Sequence, residues 1–247
     1  MLKCGLLGRK LGHSMSPKIH SMMADYSYEL FEREEDEVGS FITGREYDGL
    51  NVTIPYKKTV FRYMDEVSEV AREIGSINTI VKRADGSLYG DNTDVFGFSE
   101  LVRIFGVNPQ GRKVLVLGSG GASVSVKYVL DKLGAYIVTV SRSGEDNYSN
   151  LEKHNDASLI VNTTPVGMYP NIYEAPLDPR LFRALEGVID IIYNPAVTKL
   201  MEMAESARIP SINGLYMLVA QAAKSSALFR GVAADDAVID KIYRELK

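Results

Sequence analysis

KVLVLGSGGAS, residues 113–123, is the stretch of this sequence that decides its fold class. It begins as a nearly continuous apolar run, which predicts a strand covered on both faces of a parallel sheet. Gly118, Gly120 and Gly121 then lead into a helical pattern that reaches about Leu133. Glycines at such a turn let the backbone approach a pyrophosphate, whose charge is stabilised at the helix N-terminus. The stretch therefore predicts a strand, a tight turn and a helix at a dinucleotide site.

Two features of the neighbouring sequence bear on that prediction. The usual G-x-G-x-x-G spacing would place a third glycine where this chain has Ser123, so a tight connection without a ligand stays open. The next apolar run, residues 135–141, ends at Arg142, where an NAD site commonly has an acidic residue for the ribose 2′-hydroxyl. An arginine suits a 2′-phosphate, and one charge-assisted hydrogen bond of ~1.5–3 kcal/mol gives roughly 10- to 100-fold preference. We predict NADP as the cofactor, with a solvated arginine at a strand end as the alternative.

The rest of the chain shows the same alternation of strands and helices. Further buried strands are expected at 135–141, 158–164 and 188–193, with helical segments between them, which is typical of a doubly wound α/β sheet. Other expected elements are strands at 4–8 and 48–54, a helix starting at Ser16-Pro17 with Ser16 as its N-cap, a hairpin over 77–92 with an Asp85-Gly86 turn, and helices over 94–105, 215–229 and 236–246.

Composition excludes several classes of protein. The chain has 247 residues, enough for one large or two small domains, and a formal net charge of −4, which argues against nucleic acid as the main partner. A single cysteine excludes an intrachain disulfide, and with three histidines a dedicated metal site is not expected. The N-terminal residues lack a signal-peptide pattern and no apolar run reaches 18 residues, so we expect a soluble cytoplasmic protein without membrane contact.

Four polar motifs end apolar strands or begin helices in the first half of the chain: HSMSP (13–17), NVTIPYK (51–57), INT (77–79) and GDNTD (90–94). Ligands in open α/β sheets bind at the carboxyl ends of strands, and these side chains suit a polyhydroxylated small molecule. Lys57 and Asp94 stand out, because a lysine beside a carboxylate can transfer a proton at an oxygen that is being reduced or oxidised. Each residue has a structural alternative: Thr93 or Asp94 as a helix cap, and Lys57 in solvent beside Lys58.

These motifs, together with GSGGAS (118–123), NTTPVGM (162–168), IYNP (192–195) and GLYMLVAQA (214–222), resemble the shikimate dehydrogenase family in order and along nearly the whole chain. The resemblance implies NADP-dependent interconversion of 3-dehydroshikimate and shikimate in the pathway to aromatic amino acids. It also implies two α/β domains: a substrate domain of residues 1–98 completed by the C-terminal helices, 214–247, and a Rossmann-like NADP domain of residues 99–213. The expected partner is the small-molecule substrate, and the expected state is a monomer or a homodimer.

The resemblance also implies roles for individual residues. The matching catalytic pair is Lys57 and Asp94. The matching substrate-binding residues are Ser14, Ser16, Thr53, Asn78, Tyr193 and Gln221. The matching cofactor-binding residues are Gly118, Ser119, Gly120, Gly121, Ala122, Arg142, Thr163, Met168 and Gly214.

One departure leaves alternatives open. The family often has N-R-T followed by a second basic residue three positions on, whereas this chain reads SRSGED (141–146), with Asp146 at that place. Use of NAD beside NADP therefore stays open, as does a quinate/shikimate dehydrogenase, although Ser16 argues against it because relatives that accept quinate often have threonine there. A non-catalytic shikimate-binding regulator is the third reading, and the presence of both Lys57 and Asp94 argues against it.

Overall fold

The computed structural model describes residues 1–12 and 14–247, so His13 of the HSMSP motif lies outside the described residues. The chain forms two compact units. Unit 1 comprises residues 1–97 and 219–246, and unit 2 comprises residues 98–218 with Lys247. Both units are built on a sheet flanked by helices, which confirms the predicted α/β class.

Unit 1 contains a mixed six-stranded sheet. Its strands are β1 (Lys3–Gly8), β2 (Ser27–Glu32), β3 (Gly49–Val52), β4 (Glu66–Val67), β5 (Thr79–Lys82) and β6 (Leu88–Asp91), in the order β2-β1-β3-β5-β6-β4. The β1 strand pairs in parallel with β2 and β3, whereas β5 is antiparallel to both β3 and β6. The β5–β6 pair is the predicted hairpin, and Gly86 has a φ of 87° at its turn, as a glycine readily adopts.

The helices of unit 1 pack on this sheet. They are α1 (Ser16–Ser21), α2 (Val38–Gly44), α3 (Glu69–Ile74), the first turn of α4 (Asp94–Phe105), most of α7 (Leu215–Arg230), and α8 (Asp236–Leu246). The expectation that Ser16 caps α1 is wrong, because Met15 holds the N-cap position and makes no side-chain cap bond. The Ser14 hydroxyl instead accepts a hydrogen bond from the Ser16 backbone N–H at 3.2 Å, which satisfies an N–H at the start of the helix.

Unit 2 contains a five-stranded parallel sheet. Its strands are β7 (Lys113–Leu117), β8 (Tyr136–Val140), β9 (Leu159–Asn162), β10 (Gly187–Asp190) and β11 (Ser211–Asn213), in the order β11-β10-β9-β7-β8. The helix α5 (Gly121–Lys132) connects β7 to β8, and α6 (Lys199–Ser206) connects β10 to β11. The β9 and β10 strands are fully buried, as expected for the centre of a parallel sheet.

The helical segments expected between the later strands are only partly present. The connections from β8 to β9 and from β9 to β10 contain short 3₁₀ turns, Leu151–His154 and Pro179–Leu181, instead of α-helices. The first connection is rich in Asn, Asp and Ser, and the second contains four prolines, Pro165, Pro170, Pro176 and Pro179, which interrupt helical hydrogen bonding. No helix in the described part of the chain has the length and apolar character needed to span a bilayer.

Each unit has its own core. In unit 1 one apolar cluster lies around Leu50, Tyr56 and Ile80, and a smaller one joins Cys4 of β1 and Tyr26 to Phe229 of α7. Burial raises the pKa of the Cys4 thiol to about 12, so this side chain behaves as an apolar residue. The strands at the centre of each sheet are thus fixed by packing, and the polar residues at their carboxyl ends are held in place.

Candidate functional site

Lys57 and Asp94 are in direct contact in unit 1. The Lys57 Nζ lies 2.6 Å from Asp94 Oδ2, with side chains that are 21% and 13% exposed. Lys57 follows β3 after the Ile54-Pro55 turn, and Asp94 is the first residue of α4, three positions after the end of β6. The pair is therefore shielded but reachable from solvent, as a proton-transferring group must be.

Asn78 holds the second oxygen of the Asp94 carboxylate. Its Nδ2 donates to Asp94 Oδ1 at 2.8 Å, so both carboxylate oxygens have a donor. The orientation of the Asn78 amide is fixed, because its Oδ1 accepts from the Thr93 backbone N–H at 2.7 Å, a group that can only donate. Asp94 is thus an ion-pair partner rather than a helix cap, and its carboxylate has one defined direction.

Behind Asn78 lies a buried group of hydroxyl and amide side chains, which we call the hydroxyl cluster: Asn51, Asn78, Thr79, Thr93 and Ser225. The Ser225 Oγ lies at its centre, 2.8 Å from Asn51 Nδ2, 2.8 Å from Thr79 Oγ1 and 2.9 Å from Thr93 Oγ1. Thr79 and Thr93 in turn lie 2.9 Å and 3.1 Å from Asn78 Oδ1. The hydroxyl cluster therefore connects α7 to the Lys57–Asp94 pair.

The other substrate-binding residues predicted for unit 1 are half-buried. Thr53 follows β3 and donates its backbone N–H to Leu7 O at 2.9 Å. Ser14 and Ser16 lie at the start of α1, and Gln221 lies on α7, one turn before Ser225, whose hydroxyl donates to the Gln221 carbonyl at 3.0 Å. The substrate contacts of these four side chains stay predictions.

His20 belongs to the packing of unit 1 and not to the Lys57–Asp94 pair. Its ring stacks on Tyr28 at 3.9 Å between centroids, and its Nδ1 is 2.6 Å from the Tyr26 hydroxyl. Burial lowers the pKa of His20 to about 3, so it is neutral near pH 7. Tyr28 also donates to Asn51 Oδ1 at 2.7 Å, which directs the Asn51 amide N–H groups into the hydroxyl cluster.

Unit 2 contains a cavity of about 620 Å³ at the carboxyl ends of β7, β8 and β9. Of the predicted cofactor residues, Gly118, Ser119, Gly120, Arg142 and Thr163 line it. A position at the carboxyl ends of parallel strands is where ligands bind in open α/β sheets. The cavity also has lining residues that the sequence motifs did not indicate as cofactor contacts: Ser141, Ser143, Tyr148, Thr164, Pro165, Val166, Ala175 and Pro176.

The glycine turn has the shape that a phosphate group requires. Gly118 has a φ of +102°, and a Cβ there would lie 3.0 Å from the Thr163 Oγ1, so a side chain would be strained in two ways. A Cβ on Gly120 or Gly121 would meet no atom within 4 Å, so these two glycines border open space. Gly120 is the N-cap of α5, whose first two N–H groups, those of Gly121 and Ala122, have no carbonyl of their own helix to bind. The turn therefore fits a dinucleotide pyrophosphate.

Arg142 lies exposed beside this cavity, in the loop that follows β8. In the same loop the Asp146 carboxylate is 2.7 Å from Lys153 Nζ and 2.8 Å from His154 Nε2. Hydrogen bonds from Lys153 and His154 lower the pKa of Asp146. The carboxylate that replaces the second basic residue is thus paired with a cation of its own loop.

Three more predicted residues of unit 2 lie after β9, β10 and β11, outside the lining of this cavity. Met168 is 45% exposed. Tyr193 is half-buried after β10, and burial raises the pKa of its hydroxyl. Gly214 is buried, and a Cβ there would collide with the Ile191 carbonyl, so only glycine fits.

A buried carboxylate supports the strand ends of unit 2. Asp190, at the end of β10, accepts hydrogen bonds from Asn162 Nδ2 at 3.0 Å, Thr198 Oγ1 at 2.7 Å and the Ile192 N–H at 3.2 Å. Burial raises its pKa to about 6 despite these donors. Asn162 also accepts from the Thr164 backbone N–H and hydroxyl, so Asp190 indirectly fixes one wall of the cavity.

Sequence reasoning missed the hydroxyl cluster as a unit. Asn51, Thr79 and Thr93 stand inside motifs that it singled out, but Ser225 does not. The available signal is its spacing: Ser225 follows Gln221 by four residues and so lies on the same face of α7.

Comparison with known proteins places this chain in one family. Residues 6–80 match the family model described as the shikimate dehydrogenase substrate binding domain. The chain is 37% identical to the shikimate dehydrogenase (NADP(+)) of Clostridium perfringens over 98% of its own length and 97% of the relative's.

Two solved structures agree with that match. A chorismate mutase/shikimate 5-dehydrogenase fusion protein from Clostridium acetobutylicum has a TM-score of 0.93 and 36% identity, with 98% of this chain and 96% of that chain covered. Shikimate 5-dehydrogenase from Thermus thermophilus, solved with NADP(H) and shikimate, has a TM-score of 0.89 and 29% identity, with 100% of each chain covered. With its Lys57–Asp94 pair and its glycine turn, the chain belongs to the shikimate dehydrogenase family.

Proposed function

We propose that this chain is an NADP-dependent shikimate dehydrogenase that catalyses the reversible reduction of 3-dehydroshikimate to shikimate, on the pathway to aromatic amino acids. The observation that carries the proposal is the 2.6 Å Lys57–Asp94 pair, with the carboxylate held on its other side by Asn78. Family membership over nearly the full length supports the same activity.

In this proposal Lys57 and Asp94 are the catalytic residues. When bound, the nicotinamide of NADPH supplies the hydride for the substrate's carbonyl carbon. The Lys57 ammonium donates a proton to the carbonyl oxygen as that oxygen gains negative charge, and solvent returns the proton to Lys57 afterwards. Asp94 keeps the ammonium directed at that oxygen. In the oxidation of shikimate the same groups act in reverse.

The substrate's own groups have partners of matching chemistry. We assign its hydroxyls to Thr53, Asn78, Asp94 and Gln221, and its carboxylate to Ser14, Ser16 and Tyr193. Hydroxyl, amide and carboxylate side chains offer both donors and acceptors, which a polyhydroxylated ring needs. These roles follow from the family motifs.

We assign NADP to the cavity of unit 2. The N–H groups at the start of α5, reached past Gly118, Ser119, Gly120, Gly121 and Ala122, would hold the pyrophosphate. Arg142 would bind the 2′-phosphate, and Thr163, Met168 and Gly214 would border the nicotinamide. In this assignment residues 99–213 are the cofactor domain, and residues 1–98 with 214–247 are the substrate domain. A cytoplasmic location and a monomeric or homodimeric state complete the proposal.

The test is a comparison of shikimate and quinate, each with NADP⁺ and with NAD⁺, followed by absorbance at 340 nm. We expect the highest kcat/KM for shikimate with NADP⁺. Quinate turnover equal to shikimate turnover would replace the proposal with a quinate/shikimate dehydrogenase. Tight shikimate binding without any change in absorbance would favour a binding protein without catalytic activity.

A further inference from the structure

We propose that Ser225 is a positioning residue for the Asp94 carboxylate, acting through the threonine hydroxyls and Asn78. The inference rests on the proposed function, because it assumes that the Lys57–Asp94 pair is catalytic. Ser225 lies on α7 and is fully buried. Its hydroxyl joins that helix to side chains of β3, of β5 and of the turn before α4, which are distant from it in the sequence.

The hydrogen-bond inventory of the hydroxyl cluster gives Ser225 a defined task. Asn78 Oδ1 accepts the Thr93 N–H and has room for one further donor, but the Thr79 and Thr93 hydroxyls both lie within 3.1 Å of it. Whichever hydroxyl does not bond to Asn78 has Ser225 Oγ within 2.9 Å as its nearest acceptor, and the other threonine Oγ1 lies farther away at 3.2 Å. Ser225 therefore accepts the hydrogen bond of the second threonine hydroxyl, so that Asn78 Oδ1 keeps a single arrangement of donors.

The other contacts of Ser225 use its remaining hydrogen-bonding capacity. Asn51 Nδ2 donates to the Ser225 Oγ at 2.8 Å, and the Ser225 hydroxyl can donate to the Gln221 carbonyl at 3.0 Å. With one donor and two acceptor lone pairs, the serine hydroxyl is then fully used. Removing it leaves an Asn51 N–H and one threonine hydroxyl without this acceptor in a buried region.

That loss reaches Asp94 through Asn78. The released threonine hydroxyl keeps only Asn78 Oδ1 and, at 3.2 Å, the other threonine hydroxyl as acceptors, so it competes for Asn78 Oδ1. The Asn51 amide turns toward its remaining acceptors, the Asn78 carbonyl at 3.4 Å and Thr79 Oγ1 at 3.3 Å. Both changes act on Asn78, whose amide donates to Asp94 Oδ1. A shift of a few tenths of an ångström in that donor changes the direction of the carboxylate that aligns Lys57.

The neighbouring residue supplies a matched control. Ser226 is the same residue type on the same helix and is also fully buried, but the hydrogen bonds of the hydroxyl cluster described above do not include it. Ser225→Ala and Ser226→Ala therefore remove the same atom from two buried sites, and only one of the sites is connected to Asp94.

The first experiment measures kcat for shikimate oxidation in both variants, with NADP⁺ affinity from isothermal titration calorimetry. We expect Ser225→Ala to lower kcat roughly 5- to 50-fold and Ser226→Ala to lower it less than about 2-fold, with NADP⁺ affinity within about 2-fold of wild type in both. Equal kcat losses in the two variants would overturn the proposal.

A second pair of variants keeps the proposal testable if Ser225→Ala does not fold. Thr93→Val removes a hydroxyl of the cluster at nearly constant shape, whereas Thr93→Ser keeps the hydroxyl. We expect Thr93→Val to lower kcat at least about 5-fold and Thr93→Ser to retain most of it. Similar kcat values for the two variants would contradict a role for the hydroxyl network.

A double-mutant cycle with Asp94→Asn separates positioning from general stability. If Ser225 acts through the carboxylate, Ser225→Ala changes kcat less than about 2-fold in the Asp94→Asn background, whereas a purely structural effect persists there at full size. If the effect of Ser225→Ala persists at full size, the role of Ser225 is overturned, but the proposed catalytic pair is not. An Asp94→Asn variant with wild-type kcat would instead contradict the proposed catalytic pair.

Discussion

At the scale of single residues, Lys57 and Lys58 offer a direct test of the proposed acid. The two lysines are adjacent, but Lys57 contacts Asp94 at 2.6 Å and Lys58 is exposed. We expect Lys57→Ala to lower kcat by about 10²- to 10⁴-fold with the fold intact, the range for one general acid–base group. Steady-state kinetics and circular dichroism measure the two quantities.

Lys58→Ala is the control for that prediction, and we expect its kcat to stay close to that of the wild type. A folded Lys57→Ala variant with nearly full activity would remove Lys57 from the mechanism. Loss of activity in both variants would point to the charge of the segment instead of to a positioned ammonium.

Arg142 decides the cofactor preference in the proposed assignment. Its guanidinium can make charge-assisted hydrogen bonds to a 2′-phosphate that NAD⁺ lacks. We expect Arg142→Ala to weaken NADP⁺ binding roughly 10- to 100-fold and to change NAD⁺ binding less than about 2-fold, as measured by calorimetry. Arg112→Ala, which removes an exposed arginine paired with Glu186 in the same unit, should leave both affinities unchanged. Equal weakening of both cofactors by Arg142→Ala would contradict the assignment.

At the scale of elements, the loop after β8 contains both Arg142, which lines the cavity, and Asp146, which is paired with Lys153. Lys153 lies 2.7 Å from Asp146 Oδ1, so the charge of Asp146 is compensated within the loop. We expect Lys153→Ala to weaken NADP⁺ binding about 2- to 5-fold at low salt, because the uncompensated carboxylate then repels the 2′-phosphate. The effect should shrink at higher ionic strength because exposed charges are screened. Calorimetry at two salt concentrations measures both changes.

Lys113→Ala is the control here, since Lys113 pairs with Asp156 at 2.6 Å elsewhere in unit 2. Its NADP⁺ affinity should equal that of the wild type at both salt concentrations. A Lys153→Ala variant whose loss of affinity is the same at high and low salt would show that the loop has lost its shape rather than its charge balance.

The elements also show which parts of the fold the sequence could predict. Continuous apolar runs identified β1, β3 and the four longer strands of unit 2. Most side chains of these strands are buried, but β8 departs from the expected burial, because it lies at the edge of its sheet and only Val140 of its residues is buried. The β2 strand was not predicted, since it lies at the edge of its sheet and several of its side chains are exposed. The expected helices after β8 and β9 are absent because apolar spacing does not outweigh prolines and turn residues.

The candidate site also contains residues that the sequence could predict and contacts that it could not. Lys57, Asn78 and Asp94 could be predicted because each stands in a short motif at a strand end. The contacts of Ser225 could not, because its partners lie 132 to 174 positions away along the chain, and only tertiary packing brings them together. Local sequence gives the identity of a hydroxyl but not the three side chains that surround it.

At the scale of the whole molecule, Asp190 links pH to stability. Its pKa of about 6 in the folded protein is above the usual value of 3.8, so the folded state binds the proton more tightly than the unfolded state. The stability from that proton is fully present below the unfolded-state pKa and is lost as the pH rises through the folded-state pKa of about 6. Between about pH 4 and pH 7 this group should lower the free energy of unfolding by about 2–3 kcal/mol.

Asp190→Asn carries no charge at either pH and should lack this contribution. Urea unfolding at about pH 4 and pH 7 measures the change, and we expect the difference in unfolding free energy, variant minus wild type, to become more favourable to the variant at the higher pH. Asp156→Asn, at an exposed carboxylate whose pKa is lowered by Lys113, should not shift in that direction. A pH-independent difference for Asp190→Asn would contradict the buried-charge explanation.

The division of unit 1 between residues 1–97 and 219–246 has a consequence for synthesis on the ribosome. Unit 2 is contiguous apart from Lys247, so its sheet can form while the last two helices are still inside the exit tunnel. Unit 1 cannot finish folding until α7 has been synthesised, because Phe229 completes the packing around Cys4 and Tyr26, and Ser225 completes the hydroxyl cluster. While unit 2 is being translated, the incomplete unit 1 therefore exposes apolar surface. Chaperones protect nascent chains in this condition from aggregation.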